Sequence, residues 1–155
     1  MSQIQWIYSI DCVTDRKQFI GERNDCSVVA ISLAFNISYS EAHDFCRRRG
    51  RQWGQGMDVY NSLEDTVLGK TLKKTQLPYY NHECRQTHVA YGHGYKYINI
   101  SYLPRLTVKQ FLKENRVGNF LIGLQGHIFT IKDGICYDYK NPQWCEIKYI
   151  IEINP

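Results

Sequence analysis

The sequence predicts an α+β domain in which a helix buried on all sides comes first and an antiparallel sheet follows. The run from Asp25 to Phe35 is apolar at nearly every position except Ser27 and Ser32, and a helix that is greasy all round is a buried one. From Asn119 onward the chain reads as strand after strand of β-branched and aromatic residues. Helical segments precede the strands, which is the α+β order.

Each element has its own local signal. Asp25 suits an N-cap, its carboxylate accepting from the free N–H groups of the first turn, which sets Cys26 at the first helical position. Ser38 to Glu41 reads as a capping box opening a second helix, with Ala42, Phe45 and Cys46 as its stripe and Gly50 as its left-handed stop. A third helix is predicted from the N-cap Asp58 to Gly69, with Tyr60, Leu63 and Val67 on one face. Thr71 to Leu77, Thr87 to Tyr91 and Tyr95 to Tyr102 read as strands. Thr107 to Gln110 is a second capping box, and its helix carries Val108, Phe111 and Leu112 inward and ends at Gly118. Four strands close the chain: Phe120 to Gln125, His127 to Lys132, Ile135 to Tyr139, and Trp144 to Ile153. The last has Cys145, Ile147, Tyr149, Ile151 and Ile153 on one face.

With 155 residues and no repeat, low-complexity tract or linker, residues 1–155 are expected to form a single domain. The opening MSQIQWIYSIDC lacks a basic stretch followed by a long apolar run, and no segment approaches a membrane span. A cytoplasmic location is therefore expected, with the six cysteines as free thiols. The net charge of +4 permits an anionic partner without requiring one. Arg47, Arg48, Arg49 and Arg51 suit a solvated helix end, and no base-reading motif accompanies them, so nucleic acid is not an expected partner. His82, Glu83, Cys84, His88 and His93 match no zinc spacing, and no metal is expected.

The chemistry concentrates in the last hairpin. Asp133-Gly134 is the preferred dipeptide of a two-residue turn, so Lys132 should pair with Ile135, Ile131 with Cys136, Thr130 with Tyr137 and Phe129 with Asp138. His127 shares the face of Phe129, which makes Asp138 its diagonal neighbour across the hairpin, about 7–8 Å away at the backbone and within reach of a His–Asp hydrogen bond. An imidazole oriented by a carboxylate is two parts of a nucleophile, base and orienter relay. Cys26 supplies the third part, because a helix N-terminus favours the thiolate and its N–H groups can hold an oxyanion.

The order Asn24-Asp-Cys-Ser at the head of a buried helix, then Gly126-His-Ile-Phe-Thr-Ile-Lys-Asp-Gly134, then Tyr137-Asp138 resembles the papain-like cysteine peptidase superfamily in its compact bacterial form. It looks more closely like a group of small phage-encoded papain-like proteins. These share the Asn-Asp-Cys opening, a Gly-Arg/Gln-type loop, the Thr-Val-Lys-Gln-Phe-Leu helix at Thr107 to Leu112, and the Gly-His strand. The similarity spans about residues 22 to 140. It implies a papain-like fold, the cysteine helix packed on a C-terminal antiparallel sheet, with Cys26 as nucleophile, His127 as general base and Asp138 as orienting residue. It further implies a protein or peptide substrate, no cofactor and, for a phage-encoded chain, the host bacterial cytoplasm.

The family commonly places a glutamine six residues before the cysteine to complete the oxyanion hole, and Ile20 stands there in this chain. Asn24 and Gln18 are the candidates to replace it. Two main readings follow: a cysteine peptidase or related thiol hydrolase (acyl transfer or deamidation through the same thioester included), and a catalytically inactive papain-like fold that binds a host protein; an anion or nucleic-acid binder using the arginines is a less favoured third.

Overall fold

A computed structural model describes residues 3–77, 86–91, 94–99 and 106–154. It is a mixed α+β fold. Helix α1 (Cys26–Phe35) begins at the expected residue and buries every side chain except those of Cys26 and Leu33. It stops at Asn36, whose φ of 54° is the left-handed conformation that asparagine tolerates at a helix end. Its start differs from the expectation. Asp25 makes no side-chain bond to the first turn. Its carboxylate binds Arg16 and the Tyr39 hydroxyl instead, because a carboxylate that is nearly buried gains more from a guanidinium than from a neutral N–H.

A 3-10 turn, Thr14–Gln18, ties the first two helices together. Helix α2 (Tyr39–Arg48) is capped by Ser38, which accepts from the N–H of Glu41. Asp15 of the 3-10 turn accepts from the N–H groups of Tyr39 and Ser40 at 3.1 and 2.9 Å. The expected stripe Ala42, Phe45 and Cys46 is buried, and Gly50 has a φ of 97°. Arg47 and Arg48 lie exposed on Asp44, as a solvated helix end should. Arg49 pairs with Glu64 and covers the Phe45 ring. Arg51 departs from the surface reading, being 5% exposed and forked onto Glu22.

The third helix is shorter than predicted. Asp58 caps α3 (Val59–Ser62) through the N–H of Asn61, but Leu63 already has strand-like angles. Val67 then belongs to β2 (Thr66–Val67), which turns back into β3 (Lys70–Gln76). Leu68 and Gly69 both have positive φ, so Gly69 serves a two-residue hairpin turn, not a helix end. Strands β4 (Gln86–Tyr91) and β5 (Gly94–Asn99) form a hairpin of their own. The predicted continuation to Tyr102, and His82, Glu83, Cys84 and His93, lie outside the described residues. Among the described residues no group of His, Cys, Asp and Glu could hold a metal ion.

Helix α4 (Val108–Glu114) has the complete capping box, Thr107 and Gln110 each satisfying the other's N–H. After it come β6 (Asn119–Leu124), β7 (His127–Lys132), β8 (Ile135–Asp138) and β9 (Tyr149–Asn154). With β1 (Gln5–Tyr8), β2 and β3 they build a seven-stranded sheet in the order β1-β8-β7-β6-β9-β3-β2. The sheet is not wholly antiparallel, nor wholly C-terminal. β1 comes from the chain's start and runs parallel to β8. Its four residues are all exposed, so no alternation of buried and solvated positions marks it in the sequence.

The last strand is also shorter than expected. Residues 144–147 leave the ladder and run beside the entrance of α4, where the Ile147 N–H donates to Leu106 and the Val108 N–H to Cys145. Ile147 and Cys145 therefore pack with α4, whereas Tyr149, Ile151 and Ile153 pack with α1, and the single predicted face is divided between two cores.

Those cores cover both faces of the sheet. Leu121 and Ile128 meet α1 and α2 on one side, and Phe120, Ile122, Phe129 and Ile131 meet α4 on the other. This explains why β6 and β7 are apolar almost throughout instead of alternating. Cys12, Cys26, Cys46, Cys136 and Cys145 are free thiols. No helix among the described residues is long and apolar enough to cross a membrane.

Candidate active site

The hairpin has the register that its turn demands: Lys132 pairs with Ile135, Ile131 with Cys136 and Thr130 with Tyr137. The ladder ends there, one pair earlier than expected. Beyond it the His127 ring spans the gap, with Nε2 2.6 Å from Asp138 Oδ1. The same carboxylate oxygen accepts from the Tyr139 N–H at 2.8 Å, and the Trp6 indole of β1 donates to the Asp138 carbonyl at 3.1 Å. Asp138 is thus held from three directions and is 3% exposed.

Helix α1 brings the thiol to this pair by running alongside β7 in the same direction. The N–H of Ile128 reaches the Cys26 sulfur, the Thr130 hydroxyl donates to the Ala30 carbonyl at 2.7 Å, and the Lys132 ammonium donates to the Leu33 carbonyl at 2.8 Å. Asn119 of β6 donates to the Ala34 carbonyl. The rises match well enough for this: about 10 Å of helix from Cys26 to Leu33, about 13 Å of strand from Ile128 to Lys132. Side chains of the sheet bond α1 carbonyls along its length, and Cys26 is left at the end where β7 begins.

Cys26 is half-buried and lines the cleft together with His127, its sulfur close enough to the imidazole to interact with it. With Nε2 on Asp138, the ring nitrogen left for the thiol is Nδ1. Burial pushes the thiol pKa up, but interaction with the imidazole, the N–H groups of Ile128 and Ser27 and the charge of His127 outweigh it, so the pKa lies below the ordinary value. Burial would lower the pKa of His127, yet Asp138 and Cys26 raise it to about 9. The two directions agree: the pair favours thiolate and imidazolium, the poised form of a thiol nucleophile.

A cleft of about 540 Å³ opens onto this group, lined among others by Tyr8, Arg16, Gln125, Tyr137 and Tyr139. The Tyr139 ring stands edge-on to the imidazole, with centroids 4.9 Å apart. The chain leading into Cys26 is held by a buried ion pair, whose Arg51 also donates to the Arg23 and Asn24 carbonyls. Arg51 forks onto both oxygens of Glu22 at 3.0 Å, and Glu22 also accepts from the N–H of Gly54 at 2.8 Å and contacts His43 Nε2 at 2.6 Å. Burial raises the Glu22 pKa, but these partners bring it to about 2.

The oxyanion candidates are placed differently from Cys26, His127 and Asp138. Asn24 lines the cleft, but its amide donates to the Gly54 carbonyl at 2.9 Å, and its φ of 52° makes it a bend before α1. Gln18 is exposed and does not line the cleft, and Ile20 is 88% exposed. The N–H of Cys26 at the open end of α1 is the donor that the fold itself supplies there.

Arg16 and Gln125 are cleft residues that the sequence reading missed. Gln125 stands two residues before His127 in a turn, a placement that could have drawn attention to it. Arg16 carries no local signal, because it meets Asp25 across nine residues of irregular chain.

Compared with protein-family models, curated proteins and solved structures, the chain matches none. The geometry by itself defines an imidazole hydrogen-bonded to a carboxylate, with a thiol beside the ring in the same cleft, on a mixed α+β domain.

Proposed function

We propose that this chain is a cysteine peptidase or related thiol hydrolase on a papain-like fold. The observation that carries the reading is His127, hydrogen-bonded to Asp138 at 2.6 Å and set beside the Cys26 thiol in one cleft. Asp138 holds the ring by Nε2 and stabilises its positive charge, which leaves Nδ1 to take the thiol proton. The Cys26 sulfur then forms a bond to an amide or isopeptide carbonyl carbon, and the carbonyl electron pair moves onto oxygen. That oxyanion lies against the N–H of Cys26 at the helix start. As the tetrahedral species collapses, the C–N bond breaks and the imidazolium gives its proton to the leaving amine. Water, deprotonated by the same imidazole, releases the acyl group and regenerates the thiolate pair. An amine in place of water gives transfer, and a primary amide substrate gives deamidation.

Intact mass after treatment with a thiol-directed warhead tests this reading, with wild type compared against Cys26→Ala and His127→Ala. Cys26 is expected to label first, and His127→Ala to slow that labelling strongly. Labelling of Cys26 no faster than of the other cysteines would overturn the mechanism.

The second reading is a catalytically inactive papain-like protein that binds a host factor. Ile20, exposed where the family places its oxyanion glutamine, favours it. Fast, His127-dependent labelling of Cys26 without turnover of any peptide in a mixed substrate library would support it.

A further inference from the structure

The seven-stranded sheet has two edges, and they are unlike. At one, β2 is only two residues long and its neighbour β3 carries Lys70, Lys73 and Lys74. Short strands and lysines are how sheets keep an edge from pairing. At the other edge β1, Gln-Trp-Ile-Tyr, has no charge and no proline, and all four residues are exposed. Trp6, Ile7 and Tyr8 are 39%, 40% and 43% exposed. Among the described residues no strand pairs with the outer side of β1. Because β8 takes one side, alternate residues of β1 present their N–H and C=O groups outward.

This open edge leads into the thiol cleft. Tyr8, the last residue of β1, sits opposite Asp138 in the register, and Tyr8, Ser9 and Ile10 continue as cleft wall. We infer that β1 receives an extended polypeptide segment as an added strand, and that the substrate is therefore a polypeptide chain with uncharged, apolar residues beside its scissile bond, not a small amide. Backbone pairing supplies the affinity and Trp6, Ile7 and Tyr8 the side-chain preference, as in other cases of strand addition. A second copy of the chain is the weaker occupant. A four-residue strand offers far less than the about 800 Å² per partner of a stable interface, while a substrate needs to bind only transiently. The inference rests on the reading of Cys26 as nucleophile.

The test uses wild-type protein and four probes bearing the same vinyl sulfone: a single acylated tyrosine, a hexapeptide of alternating valine and tyrosine, and two versions of that hexapeptide N-methylated at alternate amides, one in each phase. The expected result is labelling of Cys26 by the hexapeptide at least tenfold faster than by the single residue. N-methylation in one phase should abolish the gain, and in the other leave it. Equal rates for hexapeptide and single residue, or a gain untouched by both methylation patterns, would overturn strand addition while leaving the nucleophile in place. Sedimentation as a dimer together with absence of the hexapeptide gain would assign the edge to a second copy and also overturn it. Failure of even the single-residue probe to select Cys26 would remove the nucleophile and the inference together.

Discussion

Arg16 lays Nε and one Nη on the two carboxylate oxygens of Asp25, at 2.7 and 3.1 Å, in the residue immediately before Cys26. The Tyr39 hydroxyl donates to the same carboxylate at 2.7 Å. A bare carboxylate beside the thiol would oppose its ionisation, and this fork balances the charge. The same 3-10 turn caps α2 through Asp15, so one short segment organises both helix starts.

Arg16→Gln is therefore expected to move the pH profile of Cys26 alkylation upward by about one unit, with the double variant Arg16→Gln/Asp25→Asn returning toward wild type. A merely structural role for Arg16 would lower the melting temperature and leave the profile where it is.

Asp138→Asn removes the charge that holds up the pKa of His127. Cys26 then loses its imidazolium partner, and iodoacetamide labelling at pH 6 should fall at least about tenfold, one pH unit of ionisation being a factor of ten. The difference should vanish near pH 10, where the thiol ionises unaided. An unchanged rate at pH 6 would mean that Asp138 does not act on the thiol through His127.

Glu22 and His127 act on stability from opposite ends of the pH scale. The Glu22 pKa is depressed from its ordinary 4.5 to about 2, so its contribution is complete above about pH 4.5 and disappears as the pH falls through 2. The His127 pKa is raised from 6.5 to about 9, so its contribution is complete below about pH 6.5 and disappears as the pH rises through 9. Urea midpoints of wild type and Glu22→Gln should converge at low pH, and those of wild type and His127→Gln at high pH.

Arg51→Ala leaves Glu22 buried without its fork, and loss of one member of a buried pair costs about 3–5 kcal/mol. The double variant Glu22→Leu/Arg51→Met should lose clearly less, because no charge remains uncompensated. Equilibrium urea unfolding measures both.

Gly123→Ala tests the packing behind the site. A Cβ there would fall inside the Tyr149 ring, its register partner on β9. The cost of such overpacking is about 1–3 kcal/mol, read as a lowered urea midpoint, and Gly123→Ala/Tyr149→Phe should recover little because the clash is with the ring itself.

Local chemistry in the sequence determined a good deal. The register that makes His127 and Asp138 neighbours follows from the two-residue turn and the period of a strand, both of which act within about a dozen residues. The position of Cys26 at the head of a buried helix follows from a run that is apolar except at Ser27 and Ser32. The same local signals misled at Gly69, where a hairpin turn and a helix stop look alike, and at Asp25, whose cap preference yielded to an arginine that local pattern does not connect to it.

Only the tertiary structure decided that the thiol meets the imidazole. That meeting depends on α1 lying parallel to β7, and the bonds that hold it there join residues about a hundred positions apart: Thr130 to Ala30, Lys132 to Leu33, and Asn119 to Ala34 at slightly shorter range. The acceptors are helix backbone carbonyls, which any residue type supplies, so no motif announces them. The strand β1, exposed on every residue, left no periodic trace either. Short-range turn and period rules set His127 against Asp138, while the docking of a helix along a distant strand brought Cys26 to them.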